Sequence, residues 1–176
     1  MPKELILTMT AANRIGILAA VTRAMADLEG DLREASQTVV RGWFTMIFSA
    51  EFPDELSEDV IRAHILDTCR PFGIDVGIKD PAREIQGGAV NESTELHMLR
   101  MGGENRPGVL RELSTVMSKH QVNIIGMRAV SVRDRQGFEM VIKISVPHGS
   151  DITTLVNDLN AAGLAFSMTV DVKDVG

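Results

Sequence analysis

The motif Asn-Arg-x-Gly occurs twice, as Asn13-Arg14-Ile15-Gly16 and as Asn105-Arg106-Pro107-Gly108, the latter followed by Val109. Its residue types suit recognition of an α-amino acid. A carboxamide offers a donor and an acceptor for the ligand's two polar groups, and a guanidinium pairs with carboxylates. Glycine lacks a Cβ, so backbone can come close to a strand or a ligand. An amphipathic segment follows each motif. A helix starting there aims its unpaired N–H groups and positive dipole end at the motif, a setting that suits a carboxylate. A structural reading explains the same residues: asparagine caps helices, proline favours the first helical turn, glycine serves packing, and the arginines are solvated or paired at the surface. Repetition does not choose between the two, because duplication preserves a structural turn as readily as a binding one.

Other reactive side chains form no constellation in the sequence. His64, His97, His120 and His148 are scattered with no cysteine or carboxylate at ligand spacing, so no metal site is expected. Cys69, near the end of a helical segment, reads as a buried apolar residue with no base to activate it. Gly102-Gly103 precedes a helix without the Gly-Lys-Ser/Thr of a phosphate loop. Trp43 reads as an edge or interface residue. No acid–base pair or nucleophile emerges, so neither an enzyme nor a cofactor is expected.

The elements that would position the two motifs come from an internal repeat. A shift of 92 residues aligns Leu7 with Leu99, Met9 with Met101, Asn13-Arg14 with Asn105-Arg106, Gly16 with Gly108 and Met25 with Met117, without a gap for more than thirty residues. Each copy reads βαββαβ. First strands are expected over Glu4–Met9 and Glu95–Met101. Helices follow with apolar stripes at Leu18, Val21, Met25 and Leu28, and at Leu110, Leu113 and Met117. Gly30 is expected to end the first helix, and its counterpart Val122 implies that the second copy ends differently. Hairpins are expected over Asp31–Val40 with Trp43–Phe52, and over Asn123–Val132 with Phe138–Val146. Second helices are capped by Ser57, and by Ser150 or Asp151; Pro71 stops the first of them, and last strands follow Gly73 and Gly163. The expected domains are 1–80 and 95–176, with a polar, glycine-bearing linker at 81–94. The fold class is α+β, each module an antiparallel sheet with both helices on one face.

Composition limits the functions available. The formal charge of −6 argues against direct nucleic-acid binding. A single cysteine fits a reducing compartment, and no apolar run approaches a signal peptide or a membrane span, so a cytoplasmic protein is expected. With 4% aromatics and no tyrosine, the core is expected to be aliphatic and rich in methionine. Exposed sheet edges suggest pairing of the copies and a homodimer.

The tandem βαββαβ pattern with Asn105-Arg106-Pro107-Gly108-Val109-Leu110, followed by Gln121-Val122-Asn123-Ile124, resembles the ACT domain family. The second copy is similar to the ACT domain of phosphoglycerate dehydrogenase. Two modules without a catalytic domain resemble the glycine cleavage system transcriptional repressor group. The resemblance implies two ferredoxin-like modules that bind a small amino acid, glycine or serine-like, at module interfaces and act on a partner protein. In serine-binding members an asparagine in the first turn and another at the start of the second strand hold the ligand; these fall on Asn105 and Asn123, and on Asn13 and Asp31. Arg106, Pro107, Gly108 and Val109 accompany the first pair, and Arg14, Ile15 and Gly16 the second. Asp31 would favour an ammonium more strongly than Asn123, so the sites are unequal. The serine pattern also places a histidine two residues before the turn asparagine. Here those positions are Gly103 and Ala11, a departure from serine recognition. The alternative is a pair of ACT modules that serve dimerisation without a ligand.

Overall fold

The structure is a computed structural model that describes residues 2–84, 94–104, 106–132 and 137–174. It divides into two compact units, Met1–Gly88 and Ala89–Gly176. Module 1 runs β1 (Lys3–Ala12), α1 (Ile17–Asp27), β2 (Asp31–Val40), β3 (Trp43–Phe52), α2 (Glu58–Thr68) and β4 (Asp75–Lys79). A helical turn, α3 (Pro81–Glu84), occupies the start of the expected linker, and residues 85–93 lie outside the described residues. Module 2 repeats the plan with β5 (Thr94–Glu104), α4 (Val109–Lys119), β6 (Asn123–Val132), β7 (Gly137–Pro147), α5 (Ile152–Gly163) and β8 (Thr169–Asp174). The sheets are antiparallel, ordered β2-β3-β1-β4 and β6-β7-β5-β8. These are the two α+β modules that the repeat implied, ferredoxin-like as the resemblance implied.

Strict alternation builds each sheet. Leu5, Leu7, Met9 and Ala11 of β1, with Phe44, Met46, Phe48, Ala50 and Phe52 of β3, point to the helices and are buried; their neighbours point to the open face. The module 2 core is aliphatic and methionine-rich as expected, but module 1 concentrates three phenylalanines at Phe44, Phe48 and Phe52. Trp43 starts β3, an inner strand, and is exposed on its open face, not at a sheet edge. Cys69 is buried, which pushes its thiol pKa up.

The helical stripes hold as expected except at the first member of each. Ile17, Val21, Ala24, Met25 and Leu28 are buried, as are Val109, Leu113 and Met117, whereas Leu18 and Leu110 are nearly half exposed. The helices start at Ile17 and Val109. At about 100° per residue the next position leaves the buried face.

Both first helices also end alike. Glu29 and Gln121 are left-handed, with φ +53° and +55°. The Gly30 and Val122 N–H groups each donate to a carbonyl five residues back, Met25 and Met117, at 2.9 Å. The Glu29 and Gln121 N–H groups reach Ala26 and Ser118 at 3.1 Å, completing the same C-terminal motif. Gly30 is not the left-handed residue; a Cβ there would lie 2.7 Å from Met25 Cε and 2.9 Å from Phe52 Cε1.

The second helices are capped by Ser57, whose Oγ accepts from the Val60 N–H at 3.3 Å, and by Asp151, which accepts from the Thr154 N–H at 3.0 Å. Pro71 sits in a 3-10 turn, Arg70–Phe72, after α2 has ended at Thr68. Gly163 is the last residue of α5, and a 3-10 turn, Leu164–Phe166, and left-handed Ser167 come between it and β8. The first hairpin closes through Arg41-Gly42, both at positive φ, the pattern of a two-residue turn. The second hairpin loop, 133–136, lies outside the described residues.

Candidate functional site

The two motif turns have one geometry. Strands β1 and β5 run up to the asparagine positions, and the chain enters the helix through a left-handed glycine, Gly16 at φ +93° and Gly108 at φ +94°. These glycines are the N-caps, and among the described residues no side chain caps either helix. None of the described residues lies within 4 Å of a Cβ built at Gly108, and among them Gly16 would meet only Phe72 Cζ at 3.5 Å. The glycines are therefore required by backbone conformation, not by the close approach of a neighbour. The capping explanation of Asn13 also falls. Its N–H donates to the Gly42 carbonyl at 2.8 Å, and its exposed side chain bonds none of the described residues. Asn105 lies outside the described residues.

The arginines staple the turns. Arg14 Nη2 donates to the Phe72 carbonyl at 3.3 Å and stacks over the Phe72 ring at 5.8 Å. Arg106 Nη1 reaches the Ala165 carbonyl at 3.5 Å and pairs with Glu104 at 2.5 Å. Phe72 and Ala165 belong to the matching 3-10 turns after α2 and α5, so each motif arginine ties its turn to the second helix's exit. Ile15 is fully exposed, Pro107 is exposed, and Val109 sends its side chain into the core.

In module 2 an open depression of about 430 Å³ lies at this turn, lined by Arg106, Pro107, Gly108, Val109, Leu110 and Phe138. Leu110 and Phe138 were not foreseen there. Phe138 is brought there by cross-strand pairing with Gly103, a long-range register that no local sequence signal announces.

The remaining candidates lie elsewhere. Asp31 pairs with Glu51 in the strand register, while Asn13 adjoins the Ala12–Trp43 pair at the other end of the sheet. Eight residues of β3 separate them, roughly 26 Å at about 3.3 Å per residue. Asn123 likewise pairs with Ser145, far along β7 from Phe138. Asp31 is also engaged, 3.2 Å from Arg33, whose guanidinium bonds Glu51 at 2.7 Å. The Glu51 hydrogen bond, then the charges of Asp31 and Glu51, raise the Arg33 pKa.

The histidines are not scattered in space; each stands beside a carboxylate. His64 pairs with Asp27 at 3.3 Å and His120 with Asp158 at 2.8 Å, both between helical segments, while His97 and His148 flank Glu95 at 3.7 and 2.5 Å. Even so, among the described residues no three His, Cys, Asp or Glu are grouped to hold a metal ion. None of the described helices is long and apolar enough to cross a membrane.

The sequence profile of the ACT domain matches residues 97–163, from β5 to the end of α5. A UPF0237 protein of Methanosarcina acetivorans is 33% identical over 75 residues, which cover 42% of this chain and 82% of that relative. The chain belongs to the ACT domain family. Its ACT fold repeats in module 1, which has the same strand order. An unknown protein from Galdieria sulphuraria superposes with a TM-score of 0.83 at 15% identity, over the whole of both chains. A protein assigned as a glycine cleavage system transcriptional repressor superposes with a TM-score of 0.67 at 11% identity over 99% of both. At these identities the two structures speak for the fold alone. Against four further UPF0237 relatives, from corynebacteria and Methanosarcina mazei, the chain spans 54 to 60% of the relative's length. ACT membership points to a regulatory module that binds an amino acid.

Proposed function

We propose that this chain is an amino-acid sensor: a small amino acid, glycine or serine-like, binds at the Asn-Arg-x-Gly turns and alters how ACT modules associate, and so their affinity for a partner protein. The observation that carries this reading is the glycine-capped helix start beside the depression at Arg106–Leu110. An N-terminus capped by a glycine leaves N–H groups for a carboxylate. Because Asn123 and Asp31 lie a sheet's length from the turn of their own module, a site using both motif elements draws them from two module copies. Ligand binding then favours association, the linkage a sensor needs. With an acidic chain, the partner is a DNA-binding regulator of glycine or serine metabolism, not DNA itself.

A second reading applies to module 1. Arg33 holds Asp31 there, and Arg14 is bonded to Phe72, which favours a module kept for association without a ligand.

A thermal-shift and calorimetry screen across the amino acids tests both. A bound ligand raises the melting temperature by mass action, by about 2.7 kcal/mol at a hundred times its dissociation constant. Asn105→Ala with Asn123→Ala should abolish the shift, and Asn13→Ala should leave most of it. No shift with any amino acid at millimolar concentration would end the sensor reading.

A further inference from the structure

The open faces of the two sheets have diverged in charge while the fold stayed the same. In module 1, Glu4, Glu51 and Asp31 stand directly opposite one another across three strands. Glu34 follows across the bulge, and Arg33 is the cation held among them. Like charges facing across strands oppose sheet formation. The equivalent row of module 2 is Leu96, Ser145 and Asn123, without charge. The fold therefore does not call for the carboxylates.

Module 2 has the reverse pattern. Lys143 and Lys173 flank Met98 on both sides, and Arg128 stands one step along, opposite Val141. In module 1 the positions of Lys143 and Arg128 are Ser49 and Ser36, while that of Lys173 keeps a cation, Lys79, opposite Ile6. On this face Arg100, Arg128, Lys143 and Lys173 outnumber Glu139 and Asp171, while Glu104 is held by Arg106. Both faces have exposed apolar side chains: Trp43 and Ile47 in module 1, Val130 in module 2.

We infer that the module 1 sheet face docks on the module 2 sheet face of a second copy of this chain, carboxylate row against basic row. The inference rests on the proposed association of modules and names the surfaces that make it. In a twofold dimer of this chain each such contact is made twice. Four strands about 4.8 Å apart and roughly 25 Å long give on the order of 500 Å² per face. Two faces give roughly 1,000 Å² per copy, above the ~800 Å² per partner of a standard interface. Charge complementarity fixes the choice of face and speeds encounter.

Charge reversal tests it. Lys143→Glu with Arg128→Glu should weaken dimerisation of the full chain at least about tenfold in analytical ultracentrifugation, as should Glu4→Lys with Glu34→Lys. Combining all four should restore the dimer, and added salt should weaken only the wild type and the restored variant. All these positions are exposed, so unchanged circular dichroism is expected. A wild-type chain that stays monomeric at tens of micromolar would overturn the association reading itself. A wild-type dimer indifferent to both reversals would overturn the face assignment alone, as would dissociation that the fourfold variant does not repair.

Discussion

Met168 stands where a side chain at position 103 would have to go. A Cβ built on Gly103 falls 2.4 Å from Met168 Cγ, 2.7 Å from Met168 Cα and 2.8 Å from the Ser167 carbonyl oxygen. Two of those three atoms are backbone, which cannot swing aside. Gly163 faces the same residue, with a built Cβ 3.1 Å from Met168 Cβ. The missing histidine of the serine-binding pattern is thus excluded by packing, not merely replaced. In module 1 the matching residue, Ala11, is buried, and a larger side chain there would enter the core. Gly103→His should therefore fail to create serine recognition. It should cost more than the 1–3 kcal/mol of ordinary overpacking, since the backbone at Ser167-Met168, just before β8, must move. Thermal denaturation of module 2 checks the cost. A variant as stable as the wild type that gained serine binding would show the crowding to be absent.

Three glycines separate strain from sterics. Gly108→Ala meets open space, so its cost is the left-handed conformation alone, about 1 kcal/mol. Gly16→Ala should match it, Phe72 being at ordinary contact distance. Gly30→Ala has no positive φ to strain but drives a methyl group against Met25 and Phe52, and should cost about 1–3 kcal/mol. Each kilocalorie corresponds to roughly 4–8 °C of melting temperature in a domain of this size. Equal losses at Gly30 and Gly108 would contradict this division.

How much of this was legible in the sequence depended on the range of the interaction. Alternation and turn chemistry are local, so the strands Asp31–Val40, Trp43–Phe52 and Asn123–Val132 were read to the residue. The repeat supplied the topology, since one module serves as a template for the other. The helix phase was read correctly at Val21, Met25, Leu28, Leu113 and Met117, and only the first member of each stripe was misplaced, with Ile17 and Val109 buried in place of Leu18 and Leu110. The role of glycine in the motif turn was misread for a different cause. Positive φ and close approach call for the same residue, and only coordinates tell them apart. The carboxylate row of Glu4, Glu51 and Asp31 was hidden because cross-strand register assembles it from distant parts of the chain.

The two second-helix caps should respond differently to acid. Ser57 and Asp151 do the same work, each accepting an N–H three residues on. Only Asp151 titrates. Hydrogen bonds from the Thr154 hydroxyl and then the Thr154 N–H, with smaller help from Thr153 and His120, hold its carboxyl below the usual range. A depressed folded-state pKa means that the carboxylate stabilises module 2 fully above the unfolded value, near 3.9, and loses that contribution as pH falls through the folded value. Asp151→Ala should therefore lower the stability of module 2 at neutral pH, and the gap to wild type should narrow as pH drops below about 4. Ser57→Ala should cost about 1 kcal/mol and keep that cost across the same range. Chemical denaturation of both variants at neutral and acidic pH measures the two gaps. An Asp151→Ala deficit as constant with pH as the Ser57→Ala deficit would mean that the cap contributes through packing or backbone geometry, and not through its charge.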